Sequence, residues 1–215
     1  MLISLIHPSL GRPVQARKCY DHWMNTASGN HEYEWIVSLN QTDKELEKYY
    51  QTFTKSDAVL ITRNSRNMVE ATNEAAKLCA GQIIILVSDD MWSPELWDER
   101  ILHKFEMFDG PGIIQVHDGI TVQKLTIPIM NREAYKKLGY IYHPDYISLF
   151  ADDDLRATAL THNMYYNATD IMIEHKHYMV GKSKYDKTYQ IENSRTAWRI
   201  GEKVFFDRAK RKFPL

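Results

Sequence analysis

The chain has 215 residues, 44% of them hydrophobic and 26% charged, with a formal net charge of -1. This balance excludes a disordered chain and a protein whose whole surface tracks nucleic acid, and the length suits one compact domain able to bury roughly 70% of its unfolded surface without disulfides or structural zinc. The two cysteines, Cys19 and Cys79, make no C-x-x-C pair, and the apolar run Leu2-Ile-Ser-Leu-Ile6 is too short for a signal peptide or a membrane span, so the expected setting is reducing and cytoplasmic.

Residues 2–6 read as a buried strand that His7-Pro8 and a Ser9-Leu-Gly-Arg12-Pro13 loop bring to a stop. A helix is predicted over Val14–Ala27, with Pro13 suited to its first turn and Cys19, Tyr20, Trp23 and Met24 at helical spacing. Glu34–Leu39 is a second strand, Lys44–Phe53 a helix behind the capping pair Thr42-Asp43, and Ala58–Thr62 a third strand. Asn67–Ala80 reads as a helix closed by Gly81, and Gln82–Val87 as a strand entering Ser88-Asp89-Asp90. Strands and helices alternate with short connections to this point, the pattern of a mostly parallel sheet flanked by helices. Beyond Pro94 come a helix to about Phe108, strands at Ile113–Val116 and Thr126–Met130, helices at Arg132–Leu138 and Asp153–His162, and a strand at Thr169–Lys176. A basic C-terminal helix with an apolar face closes the chain.

Ligands of such sheets sit outside the carboxyl ends of the strands. His7-Pro8-Ser9, Asn40-Gln-Thr-Asp43, Arg63-Asn64 and Ser88-Asp89-Asp90 all fall there. Two adjacent aspartates at a strand end repel unless a cation or donor groups satisfy them, so a hard divalent metal bridging to a phosphate accounts for the pair economically. A solvated turn with helix-capping aspartates is the plainer alternative.

Taken in order, Ser4-Leu-Ile-His-Pro8-Ser9-Leu-Gly-Arg12-Pro13, Val37-Ser-Leu-Asn40-Gln-Thr-Asp43, Arg63-Asn64-Ser-Arg66-Asn67 through Ala75, and Ser88-Asp89-Asp90 resemble the motifs of family 2 glycosyltransferases over residues 2–96. Asn40 stands where that family usually has an acid, Ser88 where the first Asp of its Asp-x-Asp element often is, and the glycines expected after Asn67 and Asn73 are absent. The resemblance implies an α/β GT-A (Rossmann-like) fold in a single domain spanning 1–215: residues 1–96 hold the nucleotide sugar, 97–190 face the acceptor and 191–215 form the basic helix. It further implies a metal-dependent, inverting transfer from a nucleotide diphosphate sugar, with UDP expected, to an acceptor hydroxyl.

By the same resemblance, Pro8, Ser9, Arg12, Asn40, Asn64, Asn67, Ser88 and Asp89 are candidates for the nucleotide-sugar pocket. Asp90, helped by Asp89 and a histidine from Ile171-Met-Ile-Glu-His175-Lys-His177, would hold Mn2+ or Mg2+; His175 is the better positional match and His177 the runner-up. Phe150-Ala-Asp152-Asp153-Asp154-Leu155 looks like the acceptor-side element, with Asp152 as base and Asp153 as its substitute; an N-cap run favoured by the helix dipole is the other reading. The polar segment 181–189 is read either as a lid carrying Lys182 or Lys184 to the diphosphate or as an exposed loop, and Trp92 is the aromatic chosen to line the cleft. The acceptor stays open among a glycan, a small molecule, a protein and a modified nucleobase. The tail cations Arg208, Lys210, Arg211 and Lys212 make nucleic acid worth testing. A sugar-nucleotide nucleotidyltransferase and a non-catalytic nucleotide-sugar-binding module are the rivals.

Overall fold

A computed structural model describes all 215 residues. The strands are β1 (Leu2–Ser9), β2 (Glu32–Asn40), β3 (Val59–Arg63), β4 (Ile83–Leu86), β5 (Met91–Trp92), β6 (Ile113–His117), β7 (Ile129–Asn131), β8 (Tyr165–Met172) and β9 (Glu174–His175). The helices are α1 (Pro13–Thr26), α2 (Leu46–Phe53), α3 (Met68–Ala76), α4 (Trp97–Phe105), α5 (Arg132–Leu138), α6 (Ala151–Thr161), α7 (Lys187–Glu192) and α8 (Arg195–Lys210). Seven strands form one sheet in the order β3-β2-β1-β4-β7-β6-β8, and β5 and β9 form a separate ribbon. All pairings in the main sheet are parallel except those of β7, which runs against both β4 and β6.

Burial on both faces explains the apolar runs. Along β1, Ile3 and Leu5 point to one core layer with Trp23, Trp35 and Trp97, while Ile6 joins a second layer built from α3, α5 and α6. Side chains alternate across a strand, so a run apolar at successive positions requires cover on both sides. No helix is long and apolar enough to cross a membrane.

Several boundaries differ from the sequence reading. The α3 helix stops at Ala76, and Gly81 is not its cap: a Cβ there would lie 2.5 Å from Ser4 Oγ and 2.9 Å from the Leu2 carbonyl, so glycine is required by the close approach of β1. The strand expected over Thr169–Lys176 begins four residues earlier, at Tyr165, and breaks after Met172 so that Glu174 and His175 can pair elsewhere. As an edge strand with exposed Asn167 and Asp170, β8 lacks the apolar run that marks a buried strand. The polar segment expected over 181–189 turns helical before its end: residues 187–192 form a helix capped by the Asp186 carboxylate, which accepts from the Tyr189 amide at 3.1 Å.

Candidate active site

The carboxyl ends of β1, β2 and β4 open into a cavity of about 360 Å³, closed on its far side by α6, β9 and α7. Pro8, Ser9, Arg12, Asn40, Asn67, Ser88, Asp89, Asp90, Asp152, His175 and His177 all line it. Asn64 does not: it is exposed on the β3–α3 connection outside the cavity. Lys182 also lies outside, where its ammonium pairs with Glu174 at 2.5 Å, and Trp92 packs against His22 with the Lys176 ammonium 3.7 Å from its ring centre. Neither reaches the position expected of it.

At the β2 edge of the cavity, Asn40 ties two strand ends together. Its amide donates to the Ser65 carbonyl at 2.6 Å, and its oxygen accepts from the Thr42 amide and hydroxyl. Asn67 caps α3 by accepting from the Glu70 amide at 2.9 Å. Arg12 makes a two-pronged pair with Asp186, at 2.7 and 2.6 Å, and lies 4.4 Å from the Tyr189 ring centre. With the Thr188 hydroxyl bonded to the Leu10 carbonyl at 2.9 Å, these contacts strap α7 to the loop after β1.

The adjacent aspartates have separate tasks. Asp89 is buried, and one of its oxygens accepts from His7 Nε2 at 2.9 Å and from Ser9 Oγ at 2.7 Å, with Arg12 3.8 Å from the other. Through that first oxygen it fixes the end of β1. Asp90 accepts from Ser88 Oγ on one oxygen, and on the other from His175 Nε2 at 3.2 Å and from the Tyr189 hydroxyl. Burial pushes the Asp90 carboxyl up, but His175, Ser88 and Tyr189 together outweigh it and hold the group well below the ordinary carboxylate range.

Backbone pairing brings His175 to this position. The ribbon aligns Met91 with His175 and Trp92 with Glu174, and the Lys176 amide donates to the Asp90 carbonyl at 2.8 Å. His177 faces the cavity with its ring centre 4.8 Å from that of His175 but caps the turn Tyr178–Val180, accepting from the Met179 amide. The carboxylate and imidazole that meet are Asp90 and His175. A carboxylate oxygen and an imidazole nitrogen converging within 3.2 Å form a donor set that suits Mn2+ or Mg2+, with Mn2+ preferred by imidazole.

Asp152, Asp153 and Asp154 occupy the first turn of α6 and point three ways. Successive helical residues are turned by about 100°, so three in a row cannot share a face. Asp152 faces the cavity, where burial and the neighbouring Asp153 raise its pKa to about 6. Asp153 points outward to Lys124 at 3.5 Å, away from the cavity, which leaves it unable to substitute there. Asp154 is buried against Arg208 at 2.7 Å and accepts from Tyr146 at 2.9 Å. Arg208 is only 2% exposed, so it is a core residue and not part of a basic surface. Lys210, Arg211 and Lys212 remain exposed.

Asp186, Tyr189 and Glu192 escaped the sequence reading, although Asp186 ahead of Lys187-Thr-Tyr-Gln-Ile carries the signature of a capped helix. The polar grouping of His31, Asp98 and Glu99 lies before β2, at the opposite end of the strands, and its Asp98 is committed to Ser28 and Tyr33.

The sequence matches no family model and no curated protein. Among solved structures, a mannosyltransferase from Pyrobaculum calidifontis in complex with GDP-Man and Mn2+ superposes with a TM-score of 0.63 at 16% identity, covering 97% of this chain and 64% of that one. S. aureus TarS 1-349 in complex with UDP-GlcNAc gives 0.66 at 13% identity, over 93% of this chain and 64% of its own. Glucosyl-3-phosphoglycerate synthase from Mycobacterium tuberculosis, with Mn2+, UDP and phosphoglyceric acid, gives 0.64 at 11% identity, over 95% and 78%. This chain therefore spans under two thirds of the first two proteins. At these identities the likeness shows the fold, which is the GT-A fold.

Proposed function

We propose that this chain is a glycosyltransferase that moves a sugar from a nucleotide diphosphate donor, a UDP-sugar in the first instance, to an acceptor hydroxyl with inversion at the anomeric carbon. One observation carries the reading: the Asp90–His175 pair and the Asp152 carboxylate face a single cavity at the strand ends of a GT-A sheet. The printed ligands of the structural neighbours, GDP-Man with Mn2+, UDP-GlcNAc, and UDP with Mn2+, support the donor class.

Asp90 and His175 would hold the divalent ion. When bound, that ion supplies positive charge to the diphosphate leaving group. Pro8, Ser9, Asn40 and Asn67 shape the nucleotide end, where strand-end amides and side-chain oxygens fix the orientation of a polar ring. Arg12 brings a second positive charge to the loop after β1, and Ser88 holds Asp90 in its rotamer. At the other end of the cavity Asp152 accepts the proton of the acceptor hydroxyl. The acceptor oxygen forms a bond to the anomeric carbon, the bond from that carbon to the diphosphate breaks, and the nucleotide diphosphate departs with the electron pair. A base with pKa about 6 is ionised at neutral pH yet more basic than an exposed aspartate, which favours uptake of that proton. The rival binding module has no use for a half-buried carboxylate at this wall that pairs with no cation.

Titration calorimetry with UDP, and with GDP in parallel, tests the proposal with and without Mn2+. Binding that requires Mn2+ and is lost in Asp90→Asn supports it. Absent or metal-independent binding overturns it.

A further inference from the structure

The wall of the cavity around Asp152 has a charge pattern that the mechanism does not use. Glu192, the last residue of α7, lines the cavity there together with Ser148, Asn193 and Asp152. Burial raises its carboxyl pKa, against the opposing effects of a Ser148 hydrogen bond and the Arg12 charge. The cations nearby are committed elsewhere. Lys124 pairs with Asp153 outside the cavity, Arg156 donates to Gln115 at 2.8 Å, Arg208 is buried on Asp154, and Arg12 is gripped by Asp186. Two carboxylates therefore face an incoming acceptor, and the cations nearest them, Arg12 and Lys124, are each already paired with another aspartate.

From this lining we infer that Glu192 and Asn193 form an acceptor subsite with Asp152, and that the subsite takes an uncharged polyhydroxyl compound, a sugar or neutral glycan, and turns away a phosphorylated one. The inference rests on the glycosyltransferase reading and gives that reading its acceptor class. Carboxylates accept from hydroxyls in directional bonds, and the Asn193 amide can both donate and accept, which matches the two-way character of a sugar hydroxyl. A phosphate entering the same space meets like charge where water is scarce and screening is weak. The M. tuberculosis synthase, solved with phosphoglyceric acid, is a fold neighbour whose bound compound is anionic; of the cations in the lining here, Arg12 is paired with Asp186 and Arg66 with Glu70.

The test uses the full chain loaded with UDP and Mg2+ and matched pairs of probes, glycerol with glycerol phosphate and methyl glucoside with glucose phosphate. A short oligonucleotide serves as a further anionic control. Saturation-transfer NMR reads binding, and calorimetry reads UDP affinity in the same samples. Uncharged probes are expected to bind at least about tenfold more tightly than their phosphates, with Glu192→Gln weakening them about tenfold and Glu192→Lys reversing the preference while UDP affinity holds. Equal or tighter binding of a phosphate or of the oligonucleotide overturns the inference, as does no binding of any uncharged probe at tens of millimolar, or a preference that Glu192→Lys leaves unmoved. If UDP still requires the metal, such a result removes only the acceptor class; if it does not, the enzyme reading falls with it.

Discussion

Replacing Asp152 by Asn separates the cost of this residue to the fold from its use in transfer. Burial and Asp153 raise its pKa from 3.8 to about 6, so the folded protein holds a proton there more tightly than the unfolded chain does. The residue's contribution to stability is then full below about pH 3.8 and is lost as pH rises through about 6. At about 1.4 kcal/mol per pH unit the difference comes to about 3 kcal/mol. Asparagine carries no charge at any pH, so Asp152→Asn should gain about 3 kcal/mol over the parent at pH 7 relative to the same comparison at about pH 3.5. Transfer should fall by about 10²- to 10⁴-fold in the same variant. Urea denaturation across the pH range measures the first quantity, and labelled-sugar transfer the second; in the parent protein the rate should climb as pH rises through about 6. A stability difference that stays flat with pH refutes the argument that Asp152 is a strained, proton-hungry group. Retained transfer refutes its role as the base.

Further substitutions probe the surroundings. Arg208→Met leaves Asp154 buried without its partner and should cost about 3–5 kcal/mol in urea denaturation, much of it recovered in the double variant with Asp154→Asn; the triple replacement of exposed Lys210, Arg211 and Lys212 by Ala should stay within about 0.5 kcal/mol. A loss under about 1 kcal/mol for Arg208→Met would contradict the buried pair. Tyr189→Phe removes a hydroxyl that shares an Asp90 oxygen with His175, so Mn2+ affinity without nucleotide, read by the electron spin resonance of free Mn2+, should rise about tenfold, the equivalent of a hydrogen bond worth about 1.5 kcal/mol. Unchanged or weaker affinity would mean that the hydroxyl does not compete with the ion.

Local pattern made part of this site legible. The run Ile83–Val87 ending in Ser88-Asp89-Asp90 identifies a buried strand delivering polar groups to a loop, and Pro13 with Cys19, Tyr20 and Trp23 identifies α1. Partners supplied from far along the chain were hidden. His7 and Ser9 claim Asp89 across about eighty residues, and Arg208 claims Asp154 across fifty-four, so neither the anchoring of the first nor the burial of the second is written near the residue itself. The ribbon of β5 and β9 has only two residues per strand, too few for any periodicity to register, yet it brings His175 beside Asp90. The three aspartates of α6 are a different case, because helical geometry alone excludes a shared face and could have ranked Asp152 against Asp153 once one of them was anchored.

The single reversed strand also bears on the order in which the cleft can be assembled. Strands β1, β2 and β3 arise from successive parallel crossovers, each laid against the strand made just before it, and the chain then returns to lay β4 on the other side of β1. The next segment breaks that habit: β6 is not adjacent to β4, and the three residues of β7 fill the space between them. A chain that laid down β6 first would leave a gap one strand wide, whereas β6 and β7 joined as an antiparallel hairpin can dock together on the edge of β4, with β8 then added beyond. In that sequence of events the strand ends carrying Ser9, Asn40 and Ser88 are in place before the wall bearing Asp152 exists. Pulse-labelled hydrogen exchange would register this as early protection of the β1–β4 amides and late protection of Ile129, Met130 and the β8 edge.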